Sequence, residues 1–197
     1  MVLYKRRLQL RLYMLNSQLP LDPLARFMME YAVPLDFKKN EKIKSPGNKE
    51  AFFFINKGMV TAFDTQLSNS PYLRLLGPNN LFVSLNSNSP FTQLSWQALS
   101  PSKLLYIPYI PIKNNLAPFY LQWEKLIQHI QEIEKERMHH HSILNALKNN
   151  EKLDYLEKNL PKILIKSNYG TIARFIGISR ETLVRLISKK NHMPIIF

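Results

Sequence analysis

Arg180, Glu181 and Arg185 are the residues of this chain best equipped to do chemistry, and that chemistry is recognition rather than bond-making. A guanidinium presents paired donors that match O6 and N7 of guanine, while a carboxylate accepts from the N4 amine of cytosine. Ser179 and Thr182 add short polar side chains to the same stretch, and Lys189 adds a charge suited to a phosphate. Their surroundings are basic. Between Leu160 and Phe197 stand seven Lys or Arg and one acid, Glu181, the balance expected of a surface that meets a polyanion.

Such side chains read bases only if a rigid element aims them, and the local sequence predicts one. A first helix is expected over about Tyr169 to Phe175, with Ile172 and Ile176 apolar and the small Ala173 between them. Gly177 follows, a residue type that adopts a positive φ and turns a tight corner. Ser179 is a good N-cap for a second helix, in which Leu183, Leu186 and Ile187 form a stripe facing back onto the first. Arg180, Glu181, Arg185 and Lys189 then occupy the opposite face. An ordinary helical hairpin with a solvated basic face has the same spacing. The charge excess decides for a helix-turn-helix whose second helix enters a major groove.

Other chemistries have less behind them. His139, His140 and His141 are consecutive, with His129 two to three turns earlier. Neighbouring residues on a helix point about 100° apart, so the run does not converge on one ion and no metal site is expected. The chain has no cysteine, which excludes disulfides, thiolate metal sites and cysteine nucleophiles. It has no glycine-rich phosphate loop or nucleophile elbow, and most acids sit on one helix as Glu/Lys surface pairs. No catalytic residue, no cofactor and no enzyme activity are therefore expected. A net charge of +13 and a pI near 9.9 favour nucleic acid over membrane, and 45% hydrophobic content in 197 residues is enough for a sizeable core. No stretch reaches the roughly 18 apolar residues of a membrane span. Lys5, Arg6, Arg7 and Arg11 interrupt any signal-peptide core, so a cytoplasmic protein is expected.

Taken in order, residues 1–15 form a cationic, leucine-bearing helix that packs on its own domain, with a membrane-surface or nucleic-acid role as the alternative. Asp22-Pro23 starts a second helix and Pro34 ends it. Six short strands are predicted at 51–55, 59–63, 72–76, 81–85, 94–98 and 103–107, the first two as a hairpin around Asn56-Lys57-Gly58. After Pro118 a long helix carries Trp123, Leu126, Ile130 and Ile133 at a/d spacing, which suits either a dimer seam or a helix lying on its own β-domain.

The run IARFIGISRETLVR (172–185) resembles the helix-turn-helix of the Crp/Fnr family of bacterial transcription regulators. There a Ser-Arg-Glu-Thr run opens the recognition helix and an arginine follows three residues after the threonine, as Ser179, Arg180, Glu181, Thr182 and Arg185 do here. The stretch 37–63 is similar to the opening of that family's cyclic-nucleotide-binding β-roll. The resemblance implies an α+β protein with a jelly-roll-type antiparallel β-roll and flanking helices over residues 1–117, a dimerisation helix over 118–147 and a winged-helix-like helix-turn-helix over 148–197. Seven residues follow Lys190, too few for a full hairpin wing. The implied partners are double-stranded DNA, a second copy of the chain paired through Trp123, Leu126, Ile130 and Ile133, RNA polymerase, and an unknown small-molecule effector; no membrane is implied. The pairs that hold a cyclic nucleotide in the family fall at Val83-Ser84 and near Thr92-Gln93, with Leu81 and Trp96 beside them. No basic residue lies between Arg74 and Lys103, so the phosphate partner is missing and the effector is not expected to be a cyclic nucleotide. A basic adaptor that binds a membrane surface or a protein partner, with a degenerate β-roll, is the alternative.

Overall fold

A computed structural model describes residues 2–16, 22–64, 72–84 and 94–191. Its central element is β3 (Ala51–Lys57), whose residues 51–56 are all buried because both faces of the strand are covered. Phe52 and Phe54 face a layer of helices, whereas Phe53 and Ile55 face a second sheet. A continuous apolar run is what a doubly covered strand requires.

The first sheet has the order β1 (Val33–Phe37), β8 (Ser102–Pro108), β3, β6 (Leu81–Ser84). The second has the order β2 (Lys42–Ile43), β7 (Leu94–Ala98), β4 (Val60–Asp64), β5 (Arg74–Leu76). All pairings are antiparallel, and the two sheets close on each other as a β-roll. Between them Phe53 stacks on Phe82 at 5.2 Å and Phe82 on Trp96 at 4.1 Å.

Two expectations are corrected. β3 and β4 do not form a hairpin: β3 pairs with β6 and β8, β4 with β5 and β7, and the turn between them carries the chain from one sheet to the other. Pro34 does not simply end a helix. It lies inside β1, an edge strand, where a missing amide proton is tolerated.

Gly58 makes the sheet-to-sheet turn with φ +96°, and a Cβ there would meet the Ser102 hydroxyl at 2.2 Å and the Pro101 carbonyl oxygen at 2.8 Å. Gly58→Ala is expected to lose about 2–3 kcal/mol of stability, seen as a lower urea midpoint with unchanged slope. A midpoint within error of the parent would show that the turn relaxes freely.

The helical layer comprises α1 (Val2–Asn16), α2 (Asp22–Tyr31), α3 (Tyr109–Asn114) and α4 (Tyr120–Ala146), packed on the first sheet through Leu10, Met14, Leu24, Met28 and Leu126. Arg6 is buried and bonds Asp36 of β1 at 2.5 Å, so part of the N-terminal charge is structural. The remaining helices are α5 (Asn149–Asn159), α6 (Pro161–Lys166), α7 (Tyr169–Ile176) and α8 (Arg180–Asn191). They share a third core of Leu153, Leu156, Ile172, Phe175 and Leu183, which also takes in Tyr72 of the β-roll and Leu144 of α4.

Candidate nucleic-acid interface and effector cavity

The corner between α7 and α8 forms as its residue types require. Asn168 caps α7 by accepting from the Thr171 amide at 2.9 Å. Gly177 ends it in the left-handed region at φ 70°, and the Ile178 amide returns to the Ala173 carbonyl at 3.0 Å. Ser179 caps α8 by accepting from the Thr182 amide at 3.1 Å. Thr182 also bonds the Ser179 hydroxyl through its own, so both act as the cap rather than as free side chains.

Leu183 is fully buried against α7, and this orients the helix. Arg180, Glu181, Arg185 and Lys189 are all exposed. Val184 belongs with them: it lies on the same outward face and is 40% exposed, an apolar surface of the kind that meets a thymine methyl. Its signal was positional, three residues after Glu181 and next to Arg185. Glu181 is held below the usual carboxylate range, chiefly by its own backbone amide and then by the Ser179 hydroxyl, so it is an acceptor at neutral pH.

Three other cations of this region serve the fold. Lys190 bonds Asp154 at 2.6 Å and Glu157 of α5, which raises its pKa. Lys152 is buried and donates to the Ile176 carbonyl at 2.9 Å, satisfying an orphan acceptor at the C-terminus of α7. The Arg174 guanidinium lies 4.5 Å over the Tyr72 ring and thereby docks α7 on the β-roll. Residue type alone does not separate these from DNA-facing cations.

The long helix lies on its own β-roll, the second of the two arrangements its spacing allows. Trp123 packs edge-on against Phe52 at 5.4 Å, Leu126 is buried in the same core, and Ile130 leans on it. Ile133 is half-buried and borders a cleft shared by α4, the β5–β6 turn and α6. All four residues thus face their own chain, because a/d spacing equally describes one face of a helix lying on a sheet. The exposed apolar residues of α4 are Tyr120, Leu121 and Met138.

The three consecutive histidines have separate surroundings: His139 is exposed, His140 bonds the Tyr155 hydroxyl at 2.7 Å, and His141 lies edge-on to Phe175. Burial, then the nearby Arg74, lowers the pKa of His141, whose Nε2 has no hydrogen-bond partner among the described residues. The unfolded chain therefore binds this proton more readily, so stability should fall as pH drops below about 6.5, the ordinary imidazole value. Melting curves from pH 7.5 to 5 should show that loss, and His141→Gln should reduce it; equal slopes in both proteins would refute the assignment.

A cavity of about 650 Å³ lies between the β-roll and α4. Val83, Ser84 and Trp96 are among the residues that line it. Leu81 does not; it is buried in the helix-facing core. Thr92 and Gln93 lie outside the described residues, as does any wing beyond Asn191. Among the described residues the sole basic one of the lining is Arg74, and its Nε bonds Glu134 of α4 at 2.8 Å.

No protein-family model matches the sequence, and no curated protein matches it. Solved structures do. FixK2 from Bradyrhizobium japonicum superposes with a TM-score of 0.67 at 17% identity, covering 81% of this chain and 84% of that one. A cyclic nucleotide-binding domain containing protein from Listeria monocytogenes gives 0.64 at 16%, over 90% and 87%. A protein assigned to the crp/fnr family of transcriptional regulators, from Eubacterium rectale, gives 0.63 at 13%, over 89% and 88%. Among the described residues no helix is long and apolar enough to cross a membrane. Over four-fifths or more of its length, the chain has the fold of the Crp/Fnr regulators.

Proposed function

We propose that the chain is a DNA-binding transcription regulator in which α7 and α8 form a helix-turn-helix and α8 reads the major groove. The carrying observation is the outward face of α8, where Arg180, Glu181, Val184, Arg185 and Lys189 are exposed while Leu183 anchors the helix from behind. The regulator acts as a homodimer on a pseudo-palindromic site, with half-sites about 34 Å apart. Trp123 and Leu126 have their own core to fill, so the seam falls on the outward side of α4 near Tyr120 and Leu121, with Ile130 and Ile133 supporting it from behind. Leu121→Glu should then lower the sedimenting mass to that of one chain and weaken operator binding at least tenfold. Selection from a random duplex pool tests the reading directly: a single enriched motif, whose affinity falls linearly with log salt, is expected. A protein that retains no duplex at low salt is not this regulator. The cavity under α4 holds a small effector, and RNA polymerase is the partner through which occupancy of the site is felt.

One feature favours the adaptor reading. Tyr4, Leu8, Leu12 and Leu15 make an exposed apolar stripe along α1, beside Lys5. Leu8→Glu with Leu12→Glu should leave DNA binding intact; loss of all duplex binding in that variant would move the function to α1. Removing α1 outright is no test, because Leu10 and Met14 are core residues.

A further inference from the structure

We propose that the cavity between the β-roll and α4 takes an apolar organic cation, an alkyl- or arylalkyl-ammonium, with Glu50 as its counter-ion. The inference rests on reading that cavity as the effector site. Its charged lining is Glu50, Glu134 and Arg74. Arg74 is already engaged, its Nε with Glu134 and its Nη1 with the Leu73 carbonyl oxygen at 2.8 Å. Glu134 is in turn shared with Arg137. An anion would have to draw Arg74 off Glu134 and then lie in a mostly apolar space beside two carboxylates. Glu50 is different. Among the described residues its carboxylate has no hydrogen-bond or ion-pair partner.

The ground next to Glu50 is aromatic. Its carbonyl oxygen accepts from the Tyr109 amide at 3.0 Å, and Tyr109 lines the same cavity. Phe52, Tyr109 and Trp123 meet there, with centroids 5.4 to 6.3 Å apart and planes tilted by 33° to 90°. Three rings and a carboxylate that line one cavity suit an ammonium group: the aromatic rings attract the cation and Glu50 neutralises it. Ile127, Ile130 and Met138 supply walls for the apolar body.

The chain has two tryptophans, Trp96 and Trp123, and both line this cavity, so intrinsic fluorescence reports its occupancy. The test titrates the full-length protein with phenylbutylamine, phenylbutanol and phenylvalerate, which share a body and differ in charge. The amine should bind at least tenfold more tightly than the alcohol and more tightly still than the acid. Glu50→Gln should abolish the amine's advantage while leaving the alcohol unchanged. Equal binding of amine and alcohol, or preference for the acid, overturns the cation assignment and leaves the effector cavity standing. If none of the three perturbs the fluorescence or the melting temperature, the effector cavity itself is refuted, and the assignment with it.

Discussion

Replacing Arg180 or Arg185 by alanine should weaken binding to the selected duplex by about 1–3 kcal/mol each, roughly five- to 150-fold, and relax preference at one base pair. The expectation follows from how α8 is held. Ser179 and Thr182 fix its first turn, and the fully buried Leu183 fixes its rotation about its own axis. The two guanidiniums therefore leave the helix from set points and not from a floppy surface. At 100° per residue, Arg180 and Arg185 diverge by about 140°, so they address different base pairs and their losses should add to within about 0.5 kcal/mol. Lys189 lies a turn further on, and Lys189→Ala should weaken all sequences alike and lower the salt slope by about one. Glu181→Gln should shift preference away from cytosine at its position. Arg180→Ala with affinity and preference both intact would take α8 out of the groove.

How much of this was legible in the sequence depended on whether the signal was local. The corner at Gly177 and the cap at Ser179 involve residues within five positions of one another, and both form where the residue types place them. The strand segments were legible too, because apolar runs bounded by Gly, Pro and Asn are local. Pairing was not. Asn56-Lys57-Gly58 has the composition of a hairpin turn, yet the partners of β3 lie about 30 and 50 residues away, and proximity in sequence could not reveal them. The cover of the α4 stripe was not legible for the same reason. Trp123 and Leu126 show an apolar stripe, and a stripe does not say whether its cover is a second copy or Phe52 of the same chain. Cations were hardest of all. Lys152, Arg174 and Lys190 look like Arg180 and Lys189 in a charge count, but carbonyls, aromatic rings and carboxylates of the fold engage them.

Glu134→Gln should have the largest effect outside α8, on stability and on ligand selectivity together. Glu134 joins α4 to β5 through Arg74 and is bonded one turn on by Arg137, whose other nitrogen reaches the Asn80 side chain at 2.6 Å. The two guanidiniums are 11% and 17% exposed and Glu134 is 33% exposed. Removing the carboxylate charge leaves two largely buried cations side by side. A fully buried pair broken in this way costs about 3–5 kcal/mol; with a third of Glu134 in solvent, about 2–3 kcal/mol is expected. A change under about 0.5 kcal/mol in a urea titration would mean that the network is solvent-screened. The ligand effect runs the other way. In the parent protein, Arg74 is the lone cation of the cavity among the described residues and Glu134 occupies it, so cyclic AMP and cyclic GMP, each bearing a full negative charge, should give no binding heat. In the variant Arg74 is free to turn toward an anion, and measurable if weak cyclic-nucleotide binding should emerge. Low-micromolar binding by the parent would show that Arg74 exchanges carboxylate for phosphate at little cost, and both the exclusion of nucleotides and the selectivity of the cavity for cations would then fall together.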